Sequence, residues 1–479
     1  MSNRIHLLIL PISFPSGVAA GAGGEYNRLA IARDGDGRPV LRGTSFAGVL
    51  RRAYSKEQGL TVAHLSAATF FGEALDGDKQ GKPSALRVSD SLIECGKQLT
   101  RERTHHLRNR HTKTVARGGL FSLEYCPPKS TANIVLWMTD SFDGGEGAAF
   151  LKNVANIVSR GLCVGGQSAR GIGQIEYRDK PMLRTFDLSN LDDHADMLDI
   201  DLALRLEPNS IPTGMLAVDT HEDDQNSLNI QLSLQIPRGQ DLLVGDGRGL
   251  NHEIEPQSVL AADGKLYWKL PGSTLRGLFR SWMTKLAAKD GKPVADNFAR
   301  QQKYQEKQEP FSDEINGDNL GRCFLPEEER KTSNPKITCP IANLFGSLYG
   351  AGRIHFSDSL VIAESANSKY VEQVRMHVAV DRITGGAAEN MLFNNSVLVS
   401  TESTRCSDPF VVKIRISDPN PEEIGWLRKT IIALDIGLLR VGSSKSSGRL
   451  ELSCPPQAKG LQESLIQDIQ PRHSQRQKS

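Results

Sequence analysis

The sequence predicts an α+β protein that contains two domains of the same kind in tandem. A short motif occurs twice, as LRGTSFAGVLR at 41–51 and as LPGSTLRGLFR at 270–280. In each copy a glycine and two hydroxyl residues precede an apolar run with helical spacing, which indicates the start of a helix. Around each copy the predicted order is strand, helix, strands, helix, strand, which is typical of a ferredoxin-like sheet.

Further features repeat in the same order and define an internal repeat of domain size. The match is loosest in the glycine-rich stretch, where only the Val-Gly start and the closing glycine agree. The paired segments are 70–72 (FFG) and 344–346 (LFG), 86–92 (LRVSDSL) and 354–360 (IHFSDSL), 105–112 (HHLRNRHT) and 377–384 (HVAVDRIT), 120–121 and 392–393 (LF in both), and 164–171 (VGGQSARG) and 441–448 (VGSSKSSG).

The repeat sets the predicted domain boundaries. The second copy carries roughly 45 extra residues between its helix start and its Phe-Gly motif. These residues are rich in charge, as expected of a solvated insertion. An acidic, turn-rich stretch separates the copies as a linker, in which 200–206 could add one strand. The predicted units are a first domain at 1–186, the linker at 187–227, a second domain at 228–455 with an insertion at about 288–338, and a polar tail at 456–479.

Within this frame each element follows from its local pattern. Apolar runs bounded by turn residues predict strands, and apolar residues at helical spacing predict helices. Pro127 and Pro128 mark a turn between two strands, and the basic stretch before them is predicted to form a hairpin. The predicted strands lie at 5–14, 86–93, 120–125, 134–138, 175–177 and 230–236, and the predicted helices lie at 44–56 and 150–159.

Composition narrows the class of protein. The chain has 479 residues, of which 38% are hydrophobic and 24% charged, and its formal net charge is +2. Because the net charge is so small, any affinity for nucleic acid must come from local basic patches rather than from the overall charge of the protein. Because no apolar run is long enough to span a membrane and no signal-like segment begins the chain, we expect a cytoplasmic protein without a membrane partner.

The cysteines favour neither a disulfide framework nor a compact metal site. There are seven of them and no Cys-x-x-Cys pair, which argues against both kinds of structure. Cys323 and Cys339 could form half of a zinc site with a histidine such as His252. Two unrelated thiols are the favoured interpretation.

Several polar and basic residues are candidates for binding phosphate groups. The start of a helix exposes unpaired amides and a positive dipole, which together attract anions. Glycine-rich loops offer similar amides. Each candidate could equally be a helix cap or a solvated surface residue. The candidates are Ser45, Arg51, Ser273, Arg276 and Arg280 at the helix starts and Arg170, Ser444 and Lys445 in the glycine-rich loops.

Taken together, these motifs resemble those of a known family. The combination of PGSxLRG at 271–277, HVxVDRxTG at 377–385 and a late glycine-rich Ser/Lys loop is similar to the RAMP superfamily. More narrowly, it resembles the backbone subunits of type III CRISPR effector complexes, and two fused copies resemble the double-backbone subunit of a type III-D system. The first domain departs from the pattern, because Arg42 replaces the motif proline and Asn109 replaces the motif aspartate.

The resemblance implies a subunit that binds guide CRISPR RNA, meets single-stranded target RNA and assembles with other type III effector subunits in antiviral defence. Each domain would hold guide RNA along its sheet, which RNA-recognition (RRM-like) modules also use. A hairpin "thumb" would displace one base pair between guide and target at regular intervals. Because a lone histidine is more often structural, no acid–base role is assigned to the thumb residues. These residues are His105, Arg110, His377 and Arg382.

The resemblance also implies a catalytic carboxylate that makes the protein a metal-dependent endoribonuclease. It would lie between the first strand and Pro-Gly-Ser, where Asp246 fits, and Glu255 before a proline is the second candidate. RNA supplies its own nucleophile, the 2′-hydroxyl, so alignment is a large part of the catalysis. The carboxylate would hold Mg²⁺ beside the phosphate or accept the hydroxyl proton. The alternative is that Asp246 only shapes a Gly-Asp-Gly turn.

Domain one offers a poorer match to this carboxylate. Aligned on the flanking glycines, the counterpart of Asp246 is Ala22, and Glu25 corresponds after a shift. Domain one is therefore either inactive or dependent on Glu25. Two other functions remain open. One is a non-catalytic RNA-binding scaffold, and the other is a guide-processing endoribonuclease of the same superfamily that uses a histidine and no metal.

Overall fold

The computed structural model describes most of both domains, with backbone alone at some strand positions. Within this part of the chain, no helix has the length and apolarity that crossing a membrane requires. The predicted insertion falls almost entirely outside it. The described residues are 4–25, 28–57, 70–72, 81, 83–97, 100–108, 115–140, 146–166, 171–220, 226–245, 254–292, 294, 339–346, 351–363, 370–381, 383–401, 408–442 and 448–472.

Domain one begins with the predicted apolar strand, and its two helices are separated and followed by strands, as the sequence predicts. The predicted strand at 86–93 is divided in two, because its halves pair with different neighbours. The elements are β1 (Arg4–Phe14), β2 (Gly21–Glu25), β3 (Arg28–Ile31), β4 (Val40–Leu41), α1 (Gly43–Glu57), β5 (Leu86–Val88), β6 (Ser91–Leu92), β7 (Arg101–Arg108), β8 (Val115–Tyr125), β9 (Ser130–Thr139), α2 (Glu146–Ser159), β10 (Glu176–Tyr177) and β11 (Met182–Asp187).

The main sheet of domain one has β1 at its centre. β1 pairs antiparallel with β9 on one side and with β10 and β11 on the other, and β5 extends the sheet beyond β9. Leu8, Leu10 and Ile12 join the core beneath α1 and α2. Because side chains alternate along a strand, Leu7 and Ile9 lie on the opposite face and build a second, smaller core.

The segment between the domains contains a helix where 200–206 was predicted to add a strand. This linker helix is α3 (Leu191–Leu206). Ile200 and Leu204 are buried in the second core of domain one. A spacing of four residues places two side chains on one side of a helix and also on one face of a strand, so Ile200 and Leu204 alone could not distinguish the two. A short strand, β12 (Leu216–Ala217), then pairs with β11.

Domain two repeats the arrangement of domain one. Its elements are β13 (Ser227–Gln235), β14 (Asp241–Leu242), β15 (Ser258–Leu260), β16 (Leu266–Leu270), α4 (Gly272–Lys289), α5 (Pro340–Phe345), β17 (Ile354–Phe356), β18 (Ser359–Ile362), β19 (Tyr370–Val380), β20 (Ala387–Ser400), β21 (Phe410–Ser417), α6 (Pro421–Asp435), β22 (Glu451–Leu452), β23 (Gln457–Gly460) and α7 (Ser464–Gln467). β13 is the central strand. It pairs with β21 on one side and with β22 and β23 on the other, and β17 extends the sheet beyond β21.

The chain after Pro455 belongs to domain two rather than to a polar tail. β23 pairs with β13, and Ile466 and Ile469 are buried in the core of the domain. The amide of Arg472 donates a hydrogen bond to Asp435 at 2.8 Å. The described part of domain two therefore reaches residue 472, and the predicted boundary at 455 is too early.

The two domains contact each other through unlike surfaces. Both domains contribute charged side chains to these contacts, and domain one adds backbone carbonyls where domain two adds backbone amides. An interface between unlike surfaces of two similar domains is heterologous, or head-to-tail. The contacts are Lys129 Nζ to Asp263 Oδ2 (2.9 Å), Ala262 N to Pro128 O (2.9 Å), Lys413 Nζ to Glu176 Oε1 (2.6 Å), Asp358 N to Ser16 Oγ (3.2 Å) and Arg415 to the carbonyl of Gly161.

Candidate nucleic-acid interface

Each helix start is held by the aspartate of the Ser-Asp-Ser motif. Asp90 Oδ1 accepts a hydrogen bond from the Gly43 amide at 2.8 Å, and Asp358 Oδ1 accepts one from the Gly272 amide at 2.8 Å. These glycines are the first residues of α1 and α4. A carboxylate from a distant strand end thus accepts the hydrogen bond of the first amide of each helix. At α4 the residue before the helix is Pro271 and makes no side-chain capping bond, so the serine or threonine cap that the sequence suggests is absent there.

The glycine of each motif is required by a close backbone approach. A Cβ atom on Gly272 would lie 2.5 Å from Phe356 O and 2.6 Å from Ser357 O, and one on Gly43 would lie 2.2 Å from Val88 O. These oxygens belong to the strand that leads to the capping aspartate. Because they are backbone atoms, they cannot rotate away as a side chain could.

Gly272→Ala should therefore lower the free energy of unfolding of domain two by about 1–3 kcal/mol, since the methyl group forces α4 away from its cap. Gly277→Ala is the matched control, because Gly277 is exposed in the same helix and has nothing within 4 Å of its Cβ position. Alanine favours a helix over glycine, so the control should be neutral or stabilising. Urea unfolding followed by circular dichroism compares the two, and equal midpoints would contradict the close approach.

The carboxylate caps weaken the anion sites predicted at the helix starts. Partial burial raises the pKa of Asp90, but the hydrogen bond from Gly43 and the pairing with Arg42 outweigh it and hold this pKa below its ordinary value. Asp90 is therefore ionised at neutral pH and repels a phosphate at this end of α1. Ser45 is exposed and Ser273 half-buried at their helix starts. Their contact with RNA stays a prediction.

The three arginines predicted to bind phosphate have different surroundings. Arg51 is exposed on α1, and Arg280 is half-buried on α4. Arg276 donates a hydrogen bond to the carbonyl of Phe345 and lies over its ring, with its guanidinium carbon 5.6 Å from the ring centroid. It thereby satisfies a carbonyl at the end of α5. Of the three, Arg51 is best placed to meet a phosphate.

The two glycine-rich loops share one hydrogen-bonded frame. Val164 N donates to Gly173 O at 2.8 Å, and Val441 N donates to Gly448 O at 2.7 Å. Gly173 and Gly448 also share a φ of 86°, in the left-handed region that favours glycine. Gly173 is therefore the counterpart of Gly448. The sequence match of Gly448 with Gly171 was wrong, because the loop of domain one is two residues longer.

Each glycine-rich loop also lies against the segment that follows the first strand of its domain. A Cβ atom on Gly165 would lie 2.3 Å from Ala19 O, and one on Gly442 would lie 2.1 Å from Leu243 O. Ala19 and Leu243 therefore occupy equivalent positions. Three predicted phosphate-binding residues of these loops lie outside the described residues, namely Arg170, Ser444 and Lys445.

The segment that contains Asp246 begins and ends between the glycine-rich loop and the long hairpin of domain two. Asp246 directly follows Gly245 and lies outside the described residues, as does all of 246–253. Glu255, the second candidate, is exposed where the segment returns to the described chain. Three isolated bridges fix the two ends of this segment, which are Leu243 with Gly442, Gly245 with Pro256, and Ile254 with Asn395 of β20.

The same segment of domain one begins in an equivalent way. Gly21 pairs with Ile31 in domain one, as Gly245 pairs with Pro256 in domain two. Gly21 is therefore the counterpart of Gly245, and the strand register shifts directly after Gly21. The match of Asp246 with Ala22, or with Glu25 after a shift, stays a prediction. Glu25 lies further along, at the far end of β2, and the structure describes its backbone only.

Each domain carries a long hairpin, formed by β7 and β8 or by β19 and β20. His105 lies opposite Phe121, and His377 lies opposite Phe393, so the two hairpins have the same register. His105 is buried and stacks on Phe121 with ring centroids 5.3 Å apart, whereas His377 is exposed. The two other predicted thumb residues, Arg110 and Arg382, lie outside the described residues.

The hairpin of domain two exposes an apolar side. Val374, Met376 and Val378 are 60%, 71% and 48% exposed, and alternate residues of a strand share one side. Ile383 near the tip is 95% exposed. Such a surface fits a stacked base or another apolar partner better than it fits water.

The aspartate of the His-Val-x-Val-Asp-Arg motif shapes the hairpin turn. Asp381 Oδ1 accepts hydrogen bonds from Thr384 N at 2.9 Å and Ile383 N at 2.7 Å. These bonds hold the pKa of Asp381 below its ordinary value. Sequence reasoning missed this role, although an aspartate followed by Thr-Gly is a common turn signal.

The metal-ligand predictions concern residues that lie mainly outside the described chain, so they stay predictions. The described residues contain no group of three or more His, Cys, Asp or Glu side chains that could hold a metal ion. Of the two candidate carboxylates, the structure describes Glu255, and Asp246 lies outside the described residues. The Cys339 sulfur accepts a hydrogen bond from Ala342 N at 3.4 Å and caps α5, which is a structural role. Cys323 and His252 lie outside the described residues.

A comparison with protein families identifies the repeated unit. A family model described as the RAMP superfamily matches residues 13–176 and 241–451, one segment in each domain. The chain belongs to the RAMP superfamily. The two RAMP segments include both helix starts, both hairpins and both glycine-rich loops. No curated protein sequence matches the chain.

RAMP membership implies a CRISPR-associated subunit that binds RNA. Within this RAMP protein the two domains share a frame but differ in sequence in the segment that follows the first strand. Domain two has Asp246 there and domain one has Ala22. The two RAMP domains therefore share an architecture and differ in sequence in this segment.

Proposed function

We propose that the chain is a guide-RNA-binding backbone subunit of a type III CRISPR ribonucleoprotein, and that its second domain cleaves target RNA. The observation that carries the proposal is the position of Gly245 and Ile254, the described residues on either side of 246–253. They lie between the glycine-rich loop and the hairpin of domain two, where a strand of RNA would pass if the hairpin separates guide from target. Asp246 directly follows Gly245 in the sequence.

The strand order supports a ferredoxin-like sheet in each domain. Taken in chain order, the main strands of domain one lie in space as fourth, first, third and second (β11, β1, β9, β5), and those of domain two follow the same order (β22 or β23, β13, β21, β17). Sheets of this kind present RNA-binding surfaces in recognition modules. Two such domains in one chain favour the double-backbone subunit of a type III-D system.

Cleavage would use the 2′-hydroxyl of the target RNA as nucleophile. The hairpin holds one nucleotide out of the duplex, so that its 2′-oxygen lines up with the adjacent phosphorus, and this alignment supplies a large part of the rate. Attack of the 2′-oxygen forms a 2′,3′-cyclic phosphate and breaks the bond from phosphorus to the 5′-oxygen of the next nucleotide, which leaves and takes up a proton from water. Asp246 would accept the hydroxyl proton or would be a ligand of Mg²⁺. Bound magnesium would stabilise the charge that develops on the phosphate. Domain one binds guide without cutting, because Ala22 has no carboxylate.

Chelation distinguishes this reaction from its rivals. When the assembled complex is given labelled target RNA, EDTA should stop cleavage and added Mg²⁺ should restore it, because the proposed reaction depends on a divalent metal ion. Cleavage that continues in EDTA, and acts on the guide precursor, would favour a histidine-based processing enzyme. Guide binding without cleavage in either buffer would favour the non-catalytic scaffold.

A further inference from the structure

The interface between the two domains uses one face of the domain-two sheet. Lys413 and Arg415 of β21 point out of that face toward domain one, where they meet Glu176 at 2.6 Å and the carbonyl of Gly161. Domain two thus receives the end of α2 and the strand that follows it. Since the domains are copies of one fold, domain one has a face at the equivalent place.

The sheet registers identify that face. Ser357 N donates to Lys413 O at 2.9 Å in domain two, and Ser89 N donates to Val135 O at 3.0 Å in domain one. Val135 therefore occupies the position of Lys413. The next outward-facing residue, Trp137, occupies the position of Arg415, as the pairing of β5 with β9 and of β17 with β21 confirms.

On domain one this face is already covered. Val135 is 8% exposed and lies in the small core with Ile200 and Leu204 of α3, and Trp137 packs against the same cluster. The chemistry of the two faces differs accordingly. The face that receives a domain carries charged side chains, whereas the face that receives the linker helix carries apolar ones, which suit permanent burial.

We propose that α3 is an end cap. It covers the face of domain one that is equivalent to the face of domain two on which domain one docks. A further domain therefore cannot dock on domain one in the same way. A head-to-tail row of such domains can then not be extended past domain one.

The surface that would otherwise dock on this face of domain one is the end of α6 in domain two of a second copy of the chain. Gly437 ends α6 as Gly161 ends α2, with φ values of 81° and 95° and amide bonds to the third residue before each. Ile436 and Leu438 beside Gly437 are 43% and 63% exposed. This end of domain two is therefore open and partly apolar, and it would fit the apolar face of domain one if α3 were displaced.

Displacing the helix tests the inference. Ile200→Ser with Leu204→Ser removes the inward side of α3, and Leu198→Ser with Leu202→Ser changes its outward side, where both leucines are 56% exposed. The inward variant should self-associate, with a mass that rises with concentration to roughly twice that of the monomer or more. The outward variant should stay monomeric. Sedimentation velocity measures the mass, and circular dichroism checks the fold.

Two outcomes would overturn the end cap. One is a folded inward variant that stays monomeric at every concentration. The other needs no variant, because a wild-type chain that already forms open-ended rows cannot have a closed end. If the inward variant fails to fold, Leu204→Ala removes less of the same contact, and it should associate at concentrations at which the wild-type chain is monomeric. A Leu204→Ala variant that stays monomeric at every concentration would count against the cap.

Discussion

Replacing Asp246 by alanine should remove one set of target-RNA cuts while guide binding persists. A carboxylate that takes the hydroxyl proton contributes roughly 10²- to 10⁴-fold to the rate. Guide binding should not change, because it depends on amides and basic side chains elsewhere in the fold. The assembled complex, given end-labelled target RNA, reports the cuts as bands on a denaturing gel. Filter binding of labelled guide gives the affinity.

Asp36 offers a matched control, because 35–38 and 245–248 both read GDGR. Asp36 is 77% exposed and pairs with Arg38 at 3.1 Å in a surface turn, so Asp36→Ala should leave every cut in place. Glu255→Ala tests the second candidate. If only that variant loses cuts, Glu255 is the catalytic carboxylate. If neither Asp246→Ala nor Glu255→Ala loses cuts, this loop does not catalyse the reaction and domain two is a scaffold.

The architecture could be read from the sequence because it is repeated. Local patterns placed β1 and α1 to within a residue or two, and the duplication showed that two such domains lie in tandem. Pairwise contacts were harder to foresee. The aspartates at 90 and 358 were visible as part of a repeated Ser-Asp-Ser motif, yet their partners at Gly43 and Gly272 are distant in sequence. A cap supplied from another strand leaves no local spacing signal.

The linker and the tail were misjudged for a different reason. Both are polar in composition, and each buries only two or three apolar side chains, such as Ile200 in α3 and Ile466 in α7. Composition averages over a segment, whereas packing depends on which side those few residues occupy. For the site, the structure can be compared with the sequence mainly at the two glycine-rich loops, whose framework both describe. Most of the residues predicted to contact RNA there and at the hairpin tips lie outside the described chain.

Lys269→Met should destabilise domain two by about 3–5 kcal/mol, because it leaves a buried carboxylate without its counter-charge. Lys269 and Asp358 form an ion pair whose side chains are 1% and 0% exposed. The pair lies at the domain interface, where the ring centroid of Tyr125 is 5.6 Å from Lys269 Nζ and the Asp358 amide donates to Ser16. Urea unfolding should therefore show a lower midpoint, and the contact between the domains should weaken with it.

Domain one supplies the control for this pair. Its capping aspartate, Asp90, pairs with Arg42 at 2.7 Å, but both side chains are 47% exposed. Water screens an exposed pair, so Arg42→Met should cost less than about 1 kcal/mol. Adding Asp358→Asn to Lys269→Met should recover part of the loss, because an amide oxygen still accepts the Gly272 hydrogen bond and carries no charge. If Arg42→Met and Lys269→Met cost the same, burial does not set the strength of these pairs. The helix cap alone would then account for the role of both aspartates.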